Sequence, residues 1–399
     1  MKKKLLLVCY HFPPNAGIGG RKWSFLTKYL LKKGVEIHVL TRYPARKQFS
    51  LWQEMTDGVH LHFFKSNYPR VLEEYPKNIW EKVLYRIYIF LYKIITNSNY
   101  NDRGLWLKNI LLEKINETIK KHDITNVVVT GAPFSFLYFG AIIKEQYKYI
   151  NYIADIRDSW IKGNYFGFDS LSESRKREET NRLKKVLNTA DHVFVPYPVL
   201  VKEYTTLGKN NNVALLPHAI DPDYLKPRAE ASKNNCVLVN FGSQYAELYE
   251  IMKSISAGIN DTSIKIAFYT DDRKYEDCFS SNACNVDFFK PINYSVMFEV
   301  LSISNASLLF VNRHIKDFLS TKYIECIAAR IPIVLIGTKG FVSEFIEKNR
   351  LGIFIEDMRV QTEFANIPEI LKKLDYNNQF DITPFTFEGQ AEEIIKLLN

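Results

Sequence analysis

What most constrains this chain is a rhythm: a short apolar run ending in turn or polar residues, a helical stretch, then another such run. Near the N-terminus "KKLLLVCY" reads as a buried strand, "RKWSFLTKYLLKKG" as a helix closed by Gly34, and "VEIHVLTRY" as a second strand. Phe25, Leu26, Tyr29 and Leu30 fall on one face of that helix. "NVVVTGAP", "YINYIADIRD" and "DHVFVPYP" continue the series. Strands separated by helices pair in parallel, with helices on both faces of the sheet. After "LLPHAIDPDYLKPRAEASKNN" the pattern restarts with "CVLVNFGS", "SIKIAFYT", "NVDFF", "ASLLFVN" and "IPIVLIG", alternating with helices such as "AELYEIMKSISAG" and "YSVMFEVLSIS".

A chain of 399 residues exceeds the size at which one core stops growing. The expectation is an α/β protein of two doubly wound parallel-sheet domains: residues 1–196, a linker over 197–232, and residues 233–380. A closing helix within 381–399 has no strand after it and is expected to cross back onto the first domain. The 46% hydrophobic content suits two cores, and with 24% charged residues and no repeat the chain is not a disordered one.

No run approaches the ~20 apolar residues of a spanning helix. The apolar run "LLLVCY" ends in His and two prolines, which suits a strand rather than a secretory signal. Five cysteines without paired spacing suit a reduced, cytosolic chain with no structural metal. The net charge of +9 is uneven: residues 1–200 hold 32 Lys and Arg against 18 Asp and Glu, and residues 201–399 hold 21 against 26. The first half therefore suits an anionic partner, a membrane surface or a nucleic acid. No nucleic-acid recognition motif accompanies the charge.

Three stretches carry candidate chemistry. In "PPNAGIGGRK", Gly17, Gly19 and Gly20 let backbone amides approach a ligand at a helix N-terminus, with Arg21 beside them. This is not the GxGxxG of a dinucleotide fold, since Lys22 stands in the third glycine's place and the second strand ends in Thr41 and Arg42; only Arg42 would suit NADP. In "YIADIRDSW", Asp155, Arg157 and Asp158 end a buried strand, where parallel sheets bind ligands, although a capping ion-pair cluster would need the same residues. In "NRHIKDFLSTKYIECIAARIPIV", a loop carries Arg313, His314, Lys316 and Asp317, and a helix carries Lys322 and Glu325 three residues apart on one face. An acid there can accept both hydroxyls of a ribose while amides, Lys or Arg hold a diphosphate. A surface Lys322–Glu325 pair is the plainer alternative. Asp221–Asp223 and Asp271–Asp272 have the spacing of a metal-binding pair but sit in turn-like sequence, so no metal is expected.

Taken in order, these residues resemble the retaining glycosyltransferases of family four, and especially their bacterial surface-polysaccharide branch. The matching stretches are "FPPNAGIGGRK", "NDRGLW" (Asp102, Trp106), "TGAPFS" (Gly131, Pro133, Ser135), "DIRDSW" (Asp155 to Trp160), "ADHVFVP", "LPHAIDPDYL" and "STKYIECIAARIPIV". Each is loose, but their order spans nearly the whole chain. The resemblance implies a GT-B fold, two Rossmann-like domains facing a cleft, with an acceptor-binding first domain and a nucleotide-sugar-binding second one. Glu325 falls on the second acid of the family's Glu-x7-Glu motif, which binds the nucleotide ribose. Asp317 replaces the first acid and is expected at the donor sugar, and Asp155 and Arg157 stand near the family's catalytic-region His. Arg330 replaces a usual helix-ending glycine. Where the family often has Arg and Lys for the diphosphate, this chain has Ser243, Gln244 and Tyr245, so Gly242, Ser243, Arg313, Lys316 and Lys322 are the expected donor contacts.

The implied activity is transfer of a sugar, with retention and without a metal cofactor, from a nucleotide-sugar donor, expected to be UDP-linked. The implied acceptor is a polyprenyl-diphosphate-linked glycan at the cytoplasmic face of the membrane, which the basic helix "WEKVLYRIYIFLYKIITN" would approach. A nucleotide-sugar epimerase of the same fold and a catalytically silent nucleotide-sugar-binding scaffold are the alternatives.

Overall fold

The computed structural model describes residues 2–15, 18–43, 57–66, 68–72, 76–96, 102–162, 166–209, 212–229, 235–242, 246–259, 263–279 and 285–399. Gly17, Ser243, Gln244 and Tyr245 of the sequence reading lie outside them. The chain divides into two compact units, Met1–Pro217 with Gln390–Asn399, and His218–Gly389.

The first unit holds strands β1 (Lys4–Val8), β2 (Glu36–Arg42), β3 (His60–Phe64), β4 (Asn126–Gly131), β5 (Asn151–Ile156), β6 (His192–Val195) and β7 (Val213–Leu215). They form one sheet in the order β3-β2-β1-β4-β5-β6-β7, parallel throughout. Its helices are α1 (Arg21–Lys32), α2 (Ile79–Thr96), α3 (Lys108–His122), α4 (Phe134–Gln146), α5 (Glu173–Thr189) and α6 (Pro198–Leu207). Leu5, Leu6, Leu7 and Val8 are all fully buried, as a strand covered on both faces requires. Phe25, Leu26, Tyr29 and Leu30 bury the inner face of α1.

The second unit holds β8 (Cys236–Phe241), β9 (Ile264–Tyr269), β10 (Asn285–Phe289), β11 (Ala306–Val311), β12 (Ile333–Gly337) and β13 (Gly352–Glu356), parallel in the order β10-β9-β8-β11-β12-β13. Around it lie α7 (Tyr249–Gly258), α8 (Tyr294–Ile303), α9 (Thr321–Ala328) and α10 (Phe341–Lys348).

Three strands, β3, β7 and β13, were not foreseen. α6 and β7 fall in the stretch read as a linker, so the first sheet continues to Leu215 and the break falls between Pro217 and His218. The last ten residues belong to the first unit. There Asn151 Nδ2 donates to the Leu397 carbonyl (2.7 Å), Asn399 N to Asn126 Oδ1 (2.8 Å) and Gln390 Nε2 to the Pro217 carbonyl (2.9 Å). Arg330 ends α9 in the left-handed region (φ 57°), the place of the expected glycine, and its guanidinium donates to the Phe380 carbonyl at 2.7 Å. That bond offsets part of the strain of a non-glycine residue there, about 1 kcal/mol or more.

Candidate functional site

A doubly wound sheet binds ligands beyond the carboxyl ends of its strands, where the strand order reverses. The reversal falls between β1 and β4 in the first unit and between β8 and β11 in the second. The loops leaving those four strands carry most of the residues singled out in the sequence.

In the first unit Asp155 is fully buried. It accepts hydrogen bonds from Lys22 Nζ (2.7 Å), Trp23 Nε1 (2.7 Å) and Thr130 Oγ1 (2.9 Å). Burial alone would raise its carboxyl, but the Lys22 ammonium, the Arg157 charge and the Trp23 bond together hold it below the usual carboxylate range. Asp155, expected in the catalytic region, thus ties the first turn of α1 to β4 and β5. Arg157, just past β5, organises the loops instead. Its Nε donates to the Gly131 carbonyl (3.0 Å), Nη2 to that of Ala132 (3.3 Å) and Nη1 to that of Gly19. Gly20 precedes α1, and a β-carbon there would stand 3.3 Å from the His11 carbonyl, so the close passage favours glycine. Arg21 is 7% exposed.

Sequence reasoning missed what surrounds His11. Burial pushes its imidazole down to about 3, with the charges of Arg42, Arg103 and Arg157 adding to the effect. Its Nδ1 is buried without a hydrogen-bond partner. A neutral histidine thus sits in the field of three arginine charges in the crevice beyond β1.

Asp102 and Ser135, two further motif residues, form a latch. The Asp102 carboxylate accepts from Ser135 N (2.7 Å), Ser135 Oγ (2.9 Å) and Gly104 N (2.9 Å), holding the start of α4. Burial raises its carboxyl from 3.8 to about 6, against the pull of those donors. Between these values the folded chain binds more protons than the unfolded one, so this group adds stability as pH falls from 7 toward 4, by about 2–3 kcal/mol at most. Urea midpoints of wild type and Asp102→Asn measured from pH 7 to pH 4 are expected to diverge, wild type gaining on the variant. A pH-independent difference would contradict this. Trp160 is core: its ring stacks on Phe134 (5.2 Å between centroids) and its Nε1 donates to buried Glu179 (3.0 Å).

In the second unit Glu325 lies on α9 and is 8% exposed. Lys322, one turn earlier, reaches Gly242 just beyond β8: a β-carbon on Gly242 would stand 3.2 Å from Lys322 Nζ. Gly242 also adopts φ 86°, so both its backbone and its neighbour call for glycine. Burial pushes the Lys322 ammonium down, and the Glu325 carboxylate pulls it back up. With Phe241 and Met297 these two line a cavity of ≈10 Å³, room for one water. They are thus an inward-facing pair rather than a solvated surface one.

The loop after β11 is clamped to α10. Phe341 N donates to Asp317 Oδ1 (3.2 Å) and Val342 N to the Lys316 carbonyl (2.9 Å). Asp317 thus serves as a helix cap. Arg313 and His314 are exposed, and Arg313 Nε donates to His314 Nε2 at 3.1 Å. Glu247, not foreseen, joins them, accepting from Asn312 Nδ2 at 3.2 Å. The two acidic pairs set aside as metal sites are turn residues. Asp221 accepts from Asp223 N (3.1 Å), and Asp272 pairs with Lys274 Nζ (2.7 Å).

No protein-family model matches the chain, and no curated protein sequence does. Solved structures do match in fold. A glycosyltransferase from Rickettsia africae aligns with TM-score 0.58 and 13% identity, over 99% of this chain and 97% of its own. HepE from Anabaena, solved with UDP-glucose, gives 0.56 and 10%, over 99% of each chain. The UDP-GlcNAc 2-epimerase of Methanocaldococcus jannaschii gives 0.56 and 14%, over 100% and 99%. Two helix-flanked parallel sheets in tandem, matching such proteins from end to end, make this a GT-B fold.

Proposed function

We propose that this protein is a glycosyltransferase that moves a sugar from a UDP-linked donor, with retention, onto a polyprenyl-diphosphate-linked glycan in bacterial surface-polysaccharide synthesis. The observation that carries this reading is buried Glu325 with half-buried Lys322 one turn earlier, at the strand-order reversal of the second unit and beside the tight glycine turn after β8. A carboxylate there suits the two hydroxyls of a ribose. Lys322, the Gly242 amide and Lys316 or Arg313 suit the diphosphate, whose leaving charge they stabilise. Asp317 keeps a second carboxylate oxygen for the donor sugar while Oδ1 accepts from Phe341 N. In the first unit Gly19, Gly20 and Arg21, with Arg42, Arg103 and Arg157 close by, suit an acceptor diphosphate.

Such an acceptor is anchored in a bilayer, and α2 fits that requirement. Among the described residues no helix is long and apolar enough to cross a membrane. Yet Ile79, Trp80, Val83, Leu84, Ile87, Tyr88, Phe90, Leu91 and Ile94 of α2 are all exposed, with Lys82, Arg86 and Lys93 among them. The helix is not buried against its own sheet, the plainer outcome for so apolar a sequence. An exposed helix of this kind suits a headgroup layer, which supports peripheral association with the cytoplasmic face of the membrane.

The test is a screen of nucleotide sugars for thermal stabilisation in EDTA, followed by incubation of the best donor with lipid-linked glycan. Transfer without added metal supports the proposal. Isomerisation of the donor with no acceptor present supports the epimerase reading instead, and binding without either reaction the scaffold.

A further inference from the structure

At the opposite end of the first sheet from the crevice, β2 and β3 bring three histidines onto one face. His38 stands opposite His60 and Leu40 opposite His62, so His38, His60 and His62 share that face with Glu36. The last residue of α3, His122, lies over them, with ring centroids 4.3 Å from His38 and 5.3 Å from His62. His38 is 1% exposed.

The hydrogen bonds of the cluster stop short of closing it. His38 Nε2 lies 3.1 Å from Glu36 Oε1, which leaves His38 Nδ1 turned toward His62 Nε2 at 3.0 Å. His122 Nε2 is buried and has no hydrogen-bond partner. One ligand nitrogen from each of His38, His62 and His122 lies within 4.8 Å of the other two. Nitrogens on a tetrahedral zinc ion at 2.0–2.1 Å stand about 3.3 Å apart, so the required movements are small. A carboxylate holding the far nitrogen of a histidine is also the usual support of a metal-bound imidazole, and Glu36 supplies it.

We propose that His38, His62 and His122 bind one divalent transition-metal ion of the zinc class, with Glu36 orienting His38, and that the ion clips the edge strand β3 to β2 and α3. The surrounding charge selects among ions. Lys2 stands 3.9 Å from Glu36, Lys4 Nζ donates to the His122 carbonyl, and Lys121 acts on His62. Three imidazoles among lysines suit a borderline cation and not magnesium or calcium, which take oxygen ligands. The ion takes no part in the transfer proposed above, so its loss is expected to lower stability and leave donor binding intact.

The experiment uses tag-free, chelator-stripped, full-length protein titrated with zinc in a calorimeter. Cobalt serves as a spectroscopic probe of tetrahedral nitrogen ligation. One equivalent is expected to bind and raise the melting temperature. His62→Ala and His122→Ala are each expected to weaken binding more than about 100-fold, and Glu36→Gln about 10- to 100-fold. His60→Ala is expected to bind as wild type does. Absence of saturable 1:1 binding, an equal response to magnesium, or retained affinity in His122→Ala would overturn the proposal. So would loss of affinity in His60→Ala, which would move the ion to Glu36, His38 and His60. Should either ligand variant fail to fold, the cobalt spectrum of wild type against Glu36→Gln decides.

Discussion

Asp155→Ala is expected to destabilise the first unit by about 3–5 kcal/mol, a large share of the ~5–15 kcal/mol that holds a typical domain folded. The substitution takes from Lys22 its hydrogen-bonded counter-ion, leaving only the more distant Asp158 charge, and it strips the acceptor from Trp23 Nε1 and Thr130 Oγ1. Desolvation already pushes the Lys22 ammonium down, so without Asp155 the cheapest response is loss of its proton or opening of the α1 turn. Combining Asp155→Ala with Lys22→Met removes the stranded charge and is expected to recover a large part of the loss. Denaturation of wild type, both single variants and the double variant checks this. A cost below about 1 kcal/mol for Asp155→Ala would show that water or another group already compensates the site.

The second large effect concerns the membrane. Wild type is expected to sediment with anionic liposomes and to do so less as salt rises. A Lys82→Glu, Arg86→Glu, Lys93→Glu variant is expected to bind at least about 100-fold more weakly, since each basic residue near an anionic surface contributes about 1 kcal/mol. Replacing Trp80 and Phe90 by serine is expected to weaken binding in a salt-insensitive way, because those rings supply buried area rather than charge. Circular dichroism of each variant guards against unfolding. Equal, salt-insensitive binding by wild type and the charge variant, or no binding by wild type, would contradict a docking role for α2.

Much of the fold was legible because doubly wound sheets write their strands as continuous apolar runs, and "LLLVC", "NVVVTG" and "ASLLFV" became β1, β4 and β11. The strands that escaped lack that signature. β3 reads "HLHFF", with histidines on its half-covered face; β7 has only three residues; and β13, "GIFIE", is short and bounded by glycine and an acid. The site was legible where its parts are local in sequence. Lys322 and Glu325 meet on one helical face because they are three residues apart, and Gly242 announces a turn after a strand. The anchoring bonds of Asp155 were hidden because its partners are distant: Trp23 lies 132 residues earlier and Lys22 133. The arginines around His11 and the histidines around His62 were hidden for the same reason, since folding gathers each set from separate loops or strands. The exposure of α2 was only half legible: its flanking Lys and Arg pointed to a membrane surface, but an all-round apolar sequence reads alike whether a core or a membrane covers it.

The measurement that most directly tests the central claim is calorimetric titration of UDP and its best-binding UDP-sugar into wild type and Glu325→Gln. Wild type is expected to bind in EDTA, and the variant to fold normally but lose about 1.5–3 kcal/mol of affinity, roughly 10- to 150-fold, through the loss of a charge-assisted hydrogen bond to the ribose. Unchanged affinity in a folded Glu325→Gln variant, or no nucleotide binding by wild type, would contradict the assignment of this pair to the donor.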